Sequence, residues 1–211
     1  MNKTQANKIT AGLSRPSKMP CYGYNLPAAE CITGAKLRDI PNSVCFGCYA
    51  LKGNYHRFAK TILPKMYRAL DSLNNDQWIE AMAHLINNQS GPGIDPNFFR
   101  WHDSGDLQSI DHLKQIVEVC KLTPNIKHWL PTREYKIVND YRAKYGEFPS
   151  NLVIRLSAHM VDTRAPKTNL NSSTVGYNKG FQCPASKQDN KCIDCRACWN
   201  NKVKNVNYKL H

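Results

Sequence analysis

Short apolar runs alternate with segments of helical apolar spacing through the middle of the chain. Three apolar runs predict strands, at residues 97–101, 126–130 and 152–156. Between them, the spacing predicts helices over residues 110–122 and 135–145, with Ser109 as an N-cap and Gly146 as a stop. Strands that alternate with helices pair in parallel through right-handed crossovers. The pattern therefore predicts an α/β fold, as a TIM-like barrel or as an open doubly wound sheet.

The N-terminal part has a weaker pattern. Helices are predicted at about residues 61–72 and 79–86, and Asn75 or Asp76 is the expected cap of the second. Many turn-forming residues precede them. The predicted organisation is one compact unit with three parts, namely an N-terminal arm at 1–20, an α/β domain at 21–182 and a cysteine-rich, metal-binding segment at 183–211.

Polar residues follow each predicted strand, where parallel α/β folds place their active sites. The candidates are His102, Asp103, Asp106, Arg133 and Glu134. The first three could bind a divalent cation or transfer protons. The plainer interpretation is that these residues cap and solvate loops. Together, three such strand ends favour a functional rim, although no single catalytic role is assigned.

Three arginines raise a question of charge pairing. Arg133 and Glu134 are expected to form an ion pair at the rim. Arg100 and Arg155 lie within predicted strands, and a buried arginine is expected to find a carboxylate. The expected carboxylate partners are Asp103, Asp106 and Glu134.

Four cysteines near the C-terminus carry the strongest chemical signal. They are Cys183, Cys192, Cys195 and Cys198. Three of them follow at i, i+3 and i+6, and the fourth precedes a proline. Bacterial ferredoxins bind iron–sulfur clusters with such a triplet and a separate Cys-Pro. The spacing therefore predicts a [4Fe–4S] cluster, with structural zinc as the alternative.

A second set of cysteines lies near the N-terminus. Cys31, Cys45 and Cys48, together with Cys21, could hold a second cluster or a zinc ion, or one cluster could take ligands from both ends of the chain. The alternative is that they are reduced structural thiols. Cys120 falls in the apolar stripe of a predicted helix and is expected in the core.

The chain of 211 residues has a formal net charge of +13. Such a surface attracts polyanions, so nucleic acid or an acidic redox partner is expected, although general basicity without a specific partner is the alternative. No apolar run is long enough to cross a bilayer and no secretory leader is evident, so no membrane association and a cytosolic location are expected. No motif indicates nucleotide hydrolysis, metalloprotease, serine hydrolase or dinucleotide chemistry. The oligomeric state is not indicated.

Several motifs together resemble the phage gene product 88 family. They are Lys18-Met-Pro-Cys21, Leu26-Pro-Ala28, Cys45-Phe-Gly-Cys-Tyr-Ala-Leu-Lys-Gly53, Arg100-Trp-His-Asp-Ser-Gly-Asp-Leu-Gln108, His128-Trp-Leu-Pro-Thr-Arg-Glu134 and the segment from Cys183 to Trp199. The resemblance extends over nearly the whole chain. It implies a viral protein that works in the cytosol of an infected bacterium.

This family is similar to a shortened radical S-adenosylmethionine barrel, which implies a partial TIM-like barrel. The C-x3-C-x2-C arrangement that holds the cofactor is missing, so S-adenosylmethionine is not expected. We therefore expect a phage iron–sulfur protein in electron transfer or redox-linked activity. The alternatives are a nucleic-acid-binding protein with a structural cluster or zinc, and a divergent radical S-adenosylmethionine enzyme.

Overall fold

The computed structural model describes residues 1–52, 55 and 57–210. All seven of its strands run parallel in one sheet, in the order β1-β2-β3-β4-β5-β7-β6. The strands are β1 (Gly23–Tyr24), β2 (Phe98–Trp101), β3 (Lys127–Thr132), β4 (Leu152–Ser157), β5 (Asn171–Val175), β6 (Phe181–Gln182) and β7 (Asn205–Tyr208). The α/β class with parallel strands is confirmed, whereas the shortened TIM-like barrel stays a prediction.

Six α-helices accompany this sheet in the described residues. They are α1 (Lys3–Thr10), α2 (Ile32–Leu37), α3 (Ala59–Asp71), α4 (Trp78–Asn87), α5 (Ile110–Leu122) and α6 (Tyr135–Tyr145). The predicted bounds of α5 and α6 are confirmed, and Ser109 Oγ accepts a hydrogen bond from the His112 amide at 3.0 Å. The N-cap of α4 is Gln77, two residues after Asn75, but the Asn75 side chain accepts a hydrogen bond from the Gln77 amide at 2.9 Å and so caps the turn that leads into the helix.

One face of the sheet packs against the helices. Side chains alternate between the two faces of a strand, and on β2 Phe99 and Trp101 point into the main core with residues of α4, α5 and α6. Cys120 lies in this core and is fully buried, as predicted. The expected N-terminal arm contains α1, which begins with an Asn2–Gln5 capping box and packs on α4 through Ala6.

The opposite face carries the C-terminal cysteine segment. Trp129 of β3 packs there against Trp199, with ring centroids 5.1 Å apart and an edge-to-face arrangement. Cys198 and Cys21 are buried in the same apolar cluster. The strands β5, β7 and β6 continue the sheet beyond β4. None of them was expected from the apolar pattern. The fold therefore brings the segment that precedes β1, which contains Met19 and Cys21, and the C-terminal cysteine segment to one face of the sheet.

Candidate metal centre

The four C-terminal cysteines lie in one segment that begins at the end of β6 and turns back before β7. The Cys183 amide donates to Asn207 O at 2.9 Å, which fastens the first cysteine beside β7. The Cys195 amide donates to Cys192 O at 2.8 Å and closes a tight turn between two of the thiols. Cys198 is buried, and its sulfur lies 3.2 Å from the Tyr208 hydroxyl.

The N-terminal segment joins this site. The Cys192 amide donates to Lys18 O at 3.1 Å, and its thiol lies 3.8 Å from the Met19 sulfur. Two residues further on, Cys21 is fully buried in the apolar cluster that contains Cys198. The segment from Lys18 to Cys21 therefore packs against the C-terminal cysteine segment. Sequence spacing indicated the C-terminal quartet but left the position of Cys21 open, since only tertiary packing brings it there.

Burial keeps the thiols of Cys21, Cys192 and Cys198 protonated in the absence of a cation. Burial raises the pKa of Cys21 to about 12, and Arg100 opposes the shift. Burial also raises the pKa of Cys198 to about 12. The pKa of Cys192 is raised by burial and, to a smaller extent, by the charges of Cys183 and Cys195. These mutual effects place the thiols within electrostatic range of one another. Because metals bind thiolates, a bound cation would supply the charge that this site lacks.

Arg155 fixes the segment to the sheet. Its guanidinium is fully buried and donates hydrogen bonds of 2.8–3.2 Å to five backbone carbonyl oxygens. The accepting residues are Ala197, Cys198, Asn200, Val203 and Ser172. The expected carboxylate partner is therefore wrong. Backbone carbonyl dipoles, in place of a carboxylate, stabilise the buried Arg155 guanidinium. In return, these carbonyl groups gain a hydrogen-bond donor.

Arg100 lies on the same face of the sheet. Its guanidinium carbon sits 4.8 Å from the centre of the Trp129 ring, and Nη1 is 3.7 Å from the Met19 sulfur. Burial opposes the charge of Arg100, but the nearby Tyr49 and Asp103 charges outweigh it and raise the Arg100 pKa. Arg100 therefore places a positive charge between the cysteine segment and the carboxyl ends of the strands.

Asp106 is the best-anchored of the predicted rim residues. Its carboxylate accepts hydrogen bonds from the Thr132 hydroxyl at 2.6 Å, the Leu107 amide at 2.8 Å and the Arg133 amide at 2.9 Å. Burial raises the pKa of Asp106 to about 6 even though these bonds oppose the shift. A carboxyl group that titrates near neutral pH is suited to proton transfer.

The other two residues of the H-D-x-x-D group make separate contacts. Asp103 accepts a hydrogen bond from Ser14 Oγ at 2.7 Å and another from the Tyr55 hydroxyl at 3.2 Å. His102 is buried between aromatic rings, and burial lowers its pKa to about 3, so the ring is neutral near pH 7. Asp103 and Asp106 therefore belong to different hydrogen-bond networks.

The expected ion pair between Arg133 and Glu134 is wrong. The Glu134 carboxylate accepts two hydrogen bonds from Thr33, from its amide at 2.8 Å and from its hydroxyl at 2.7 Å. Thr33 lies in the first turn of α2. Glu134 therefore holds the cysteine-bearing loop after β1 against the end of β3, a role that the spacing of charges could not indicate.

Cys31, Cys45 and Cys48 lie in that loop, apart from the C-terminal group. Burial raises the pKa of Cys31 to about 12, and the Asp106, Cys48 and Cys45 charges add to the shift. The structure therefore brings these thiols near the rim carboxylate. In the described part of the chain, no three Cys, His, Asp or Glu side chains converge in the arrangement of a formed metal site. Within the same ranges, none of the helices has the length and apolar character that crossing a bilayer requires.

A search of the curated proteins and of the solved structures finds no match to this chain, so neither adds support to a similarity with radical S-adenosylmethionine barrels. The family model described as gene product 88 matches residues 1–201. That match extends over both cysteine groups and the rim between them. The chain therefore belongs to the gene product 88 family.

Proposed function

We propose that this chain is a phage-encoded iron–sulfur protein whose C-terminal cysteines bind a [4Fe–4S] cluster and that it serves in electron transfer or redox-linked activity. The ligands are Cys183, Cys192, Cys195 and Cys198. The observation that carries the proposal is that these four thiols share one segment, which Arg155 fastens to the sheet through five carbonyl groups. The reducing cytosol of an infected bacterium suits a protein with nine unpaired cysteines.

The donor set fits a cluster better than a zinc ion. Four soft thiolates suit both, but structural zinc sites usually combine two separate C-x2-C units. Here Cys192, Cys195 and Cys198 follow one another at intervals of three, as in cluster-binding ferredoxins. When bound, the cluster supplies one-electron redox chemistry.

The surrounding residues have defined tasks in this proposal. Trp199 is buried and donates its indole hydrogen bond to Phe99 O at 2.8 Å, so it shields one side of the segment from water. The Tyr208 hydroxyl lies within hydrogen-bond range of the Cys198 sulfur. Hydrogen bonds to cluster sulfurs and low solvent exposure both tune the reduction potential.

A shortened TIM-like barrel is part of the same proposal. It is supported by the consecutive parallel pairing from β1 to β5, in which sequence neighbours are also neighbours in the sheet. In such barrels, function concentrates at the carboxyl ends of the strands. The rim around Asp106 is then the place where a partner or substrate meets the protein.

Metal analysis of anaerobically purified protein tests the cluster assignment. The wild-type chain is expected to contain iron and acid-labile sulfide in equal amounts and to show a visible band that bleaches on reduction. Cys195→Ala is expected to lose about four iron atoms per chain, the complement of one such cluster. Cys120→Ala, which removes an equally small thiol from the core, is expected to keep all the iron. Unchanged iron in Cys195→Ala, or zinc in place of iron at this site, would contradict the proposal.

A further inference from the structure

The loop after β1 spans the carboxyl edge of the sheet and is fastened at several points. Thr33 binds Glu134 at the end of β3. The Val44 amide donates to His159 O at 2.9 Å, just beyond β4, and Ser43 forms a backbone bridge with Met160. Cys31, Cys45 and Cys48 are therefore held over the ends of β3 and β4 by contacts that are independent of the C-terminal segment.

Two of these sulfurs converge beside a glycine. A methyl group placed on Gly34 would lie 3.6 Å from the sulfurs of both Cys31 and Cys45, and 2.9 Å from Cys31 Cβ. The close approach to Cys31 Cβ favours glycine at this point of α2, and a side chain there would fill the space between the two sulfurs. The chain thus keeps a small space open between two thiols that are 14 positions apart in the sequence.

The third thiol is linked to the second by a tight turn. The Cys48 amide donates to Cys45 O at 3.1 Å, and Gly47 takes the left-handed conformation that the turn requires. This turn places Cys48 one turn away from the pair of thiols beside Gly34.

Core packing does not account for this arrangement. Each of Cys45 and Cys48 is followed by an aromatic residue. These two residues, Phe46 and Tyr49, are 58% and 63% exposed. Thiols that serve only to fill a core are surrounded by apolar neighbours, as Cys120 is in α5. Here they lie in a loop at the strand ends, where parallel folds bind their ligands.

We propose that Cys31, Cys45 and Cys48 close around a metal ion or cluster when it binds and so make a second, thiolate-ligated centre whose fourth position is open to an external ligand. Soft thiolates select zinc or an iron–sulfur cluster. A centre with three protein ligands and one free position is the arrangement of catalytic metal sites, whereas structural sites use four. Asp106 borders the site but is committed elsewhere, since its carboxylate already accepts three hydrogen bonds.

Metal content separates this centre from the C-terminal one. The variant Cys31→Ser/Cys45→Ser/Cys48→Ser is expected to lose one complement of metal, either zinc or iron with sulfide, and to keep the complement that Cys195→Ala removes. Cys195→Ala is expected to show the reverse. Wild-type metal content in the triple variant, with folding verified by circular dichroism, would overturn the second centre and leave the first intact.

Gly34→Val tests the same centre without removing a thiol. The added side chain enters the space between Cys31 and Cys45, so metal is expected to be lost from this centre only. Gly146→Val, at the end of α6, is the control for backbone strain alone, because Gly146 has φ +85° and a methyl group there meets no atom within 4 Å. Full metal retention in Gly34→Val would argue against a metal held between these sulfurs.

X-ray absorption on Cys195→Ala then examines the open position. Three sulfur ligands from the protein and one lighter external donor, oxygen or nitrogen, are expected for zinc. For an iron–sulfur centre, added cyanide is expected to change the electron paramagnetic resonance spectrum. Four sulfur ligands from protein, or a spectrum indifferent to cyanide, would overturn the open position.

Discussion

At the scale of single residues, Gly105 shows how tightly the rim is built. It lies in the His102–Asp106 loop with φ +81°, and a methyl group there would come within 2.6 Å of Leu26 Cβ and 2.8 Å of Leu26 O. The Leu26 amide also donates to Ser104 O at 2.9 Å. The loop after β2 therefore rests directly on the chain after β1, and a side chain would separate them.

Gly105→Ala is accordingly expected to destabilise the protein by about 3 kcal/mol or more, because a backbone clash adds to the cost of the left-handed conformation. Gly93→Ala is the matched control, since Gly93 has φ +70° and open space around it. It is expected to cost about 1 kcal/mol. Urea unfolding of both variants measures the difference. Equal losses in the free energy of unfolding would show that the loop moves aside for the Gly105→Ala side chain without further destabilisation.

The residues that sequence could identify share a local signal. Ser109 caps α5 and Gly146 ends α6 because capping depends on neighbouring residues alone. Arg155, Thr33 and Cys21 act through partners far along the chain, so no local pattern announces their contacts. For the same reason, the spacing of the C-terminal cysteines predicted a metal site. That Met19 and Cys21 pack against this segment could be learned only from the fold.

At the scale of elements, β5 is a strand that the apolar pattern missed because it is polar and yet buried. β5 reads Asn-Ser-Ser-Thr-Val, and its first four residues are buried. Side chains pair across the sheet: Ser157 with Ser173 at 2.9 Å, and Thr174 with Asn207 at 2.9 Å. Hydrogen bonds satisfy these polar groups in place of apolar packing. A hydropathy pattern registers such a strand as a loop.

The clamp between β4 and the cysteine segment is the element-scale contact with the largest expected effect. Arg155→Lys keeps the charge but loses the planar fork that donates to five carbonyls, so several buried acceptors lose their donors. We expect a loss of about 3 kcal/mol in the free energy of unfolding. Hydrogen exchange of amides 196–204 is expected to accelerate.

Arg142→Lys is the matched control for this prediction. Arg142 forms an ion pair with Glu147 on the surface of α6, where Glu147 is 72% exposed. Such surface pairs contribute about 0.5 kcal/mol or less. If the two arginine variants had equal stability and equal exchange in the cysteine segment, Arg155 would not be holding that segment in place.

At the scale of the whole molecule, part of the positive charge lies beside the cysteine segment. Lys18, Lys191 and Arg196 line a groove of about 370 Å³ beside Cys192, in which Arg196 pairs with Asp95 at 3.3 Å. Ile193, also in its lining, is 54% exposed. Helix α6 lies on the other face of the sheet, with the main core. The groove is therefore the part of the basic surface that a polyanion or an acidic redox partner would meet next to the proposed cluster.

The nucleic-acid alternative makes a quantitative prediction about this groove. If phosphates bind there, the logarithm of the affinity for duplex DNA falls linearly with the logarithm of salt concentration, with a slope of about −0.9 per phosphate contact. Lys18→Glu/Lys191→Glu is expected to reduce both affinity and slope. Lys136→Glu/Lys144→Glu changes the net charge equally but lies on α6, so it is expected to have a smaller effect. Equal effects would indicate general basicity, and no detectable DNA binding at low salt would leave an acidic protein as the partner of the groove.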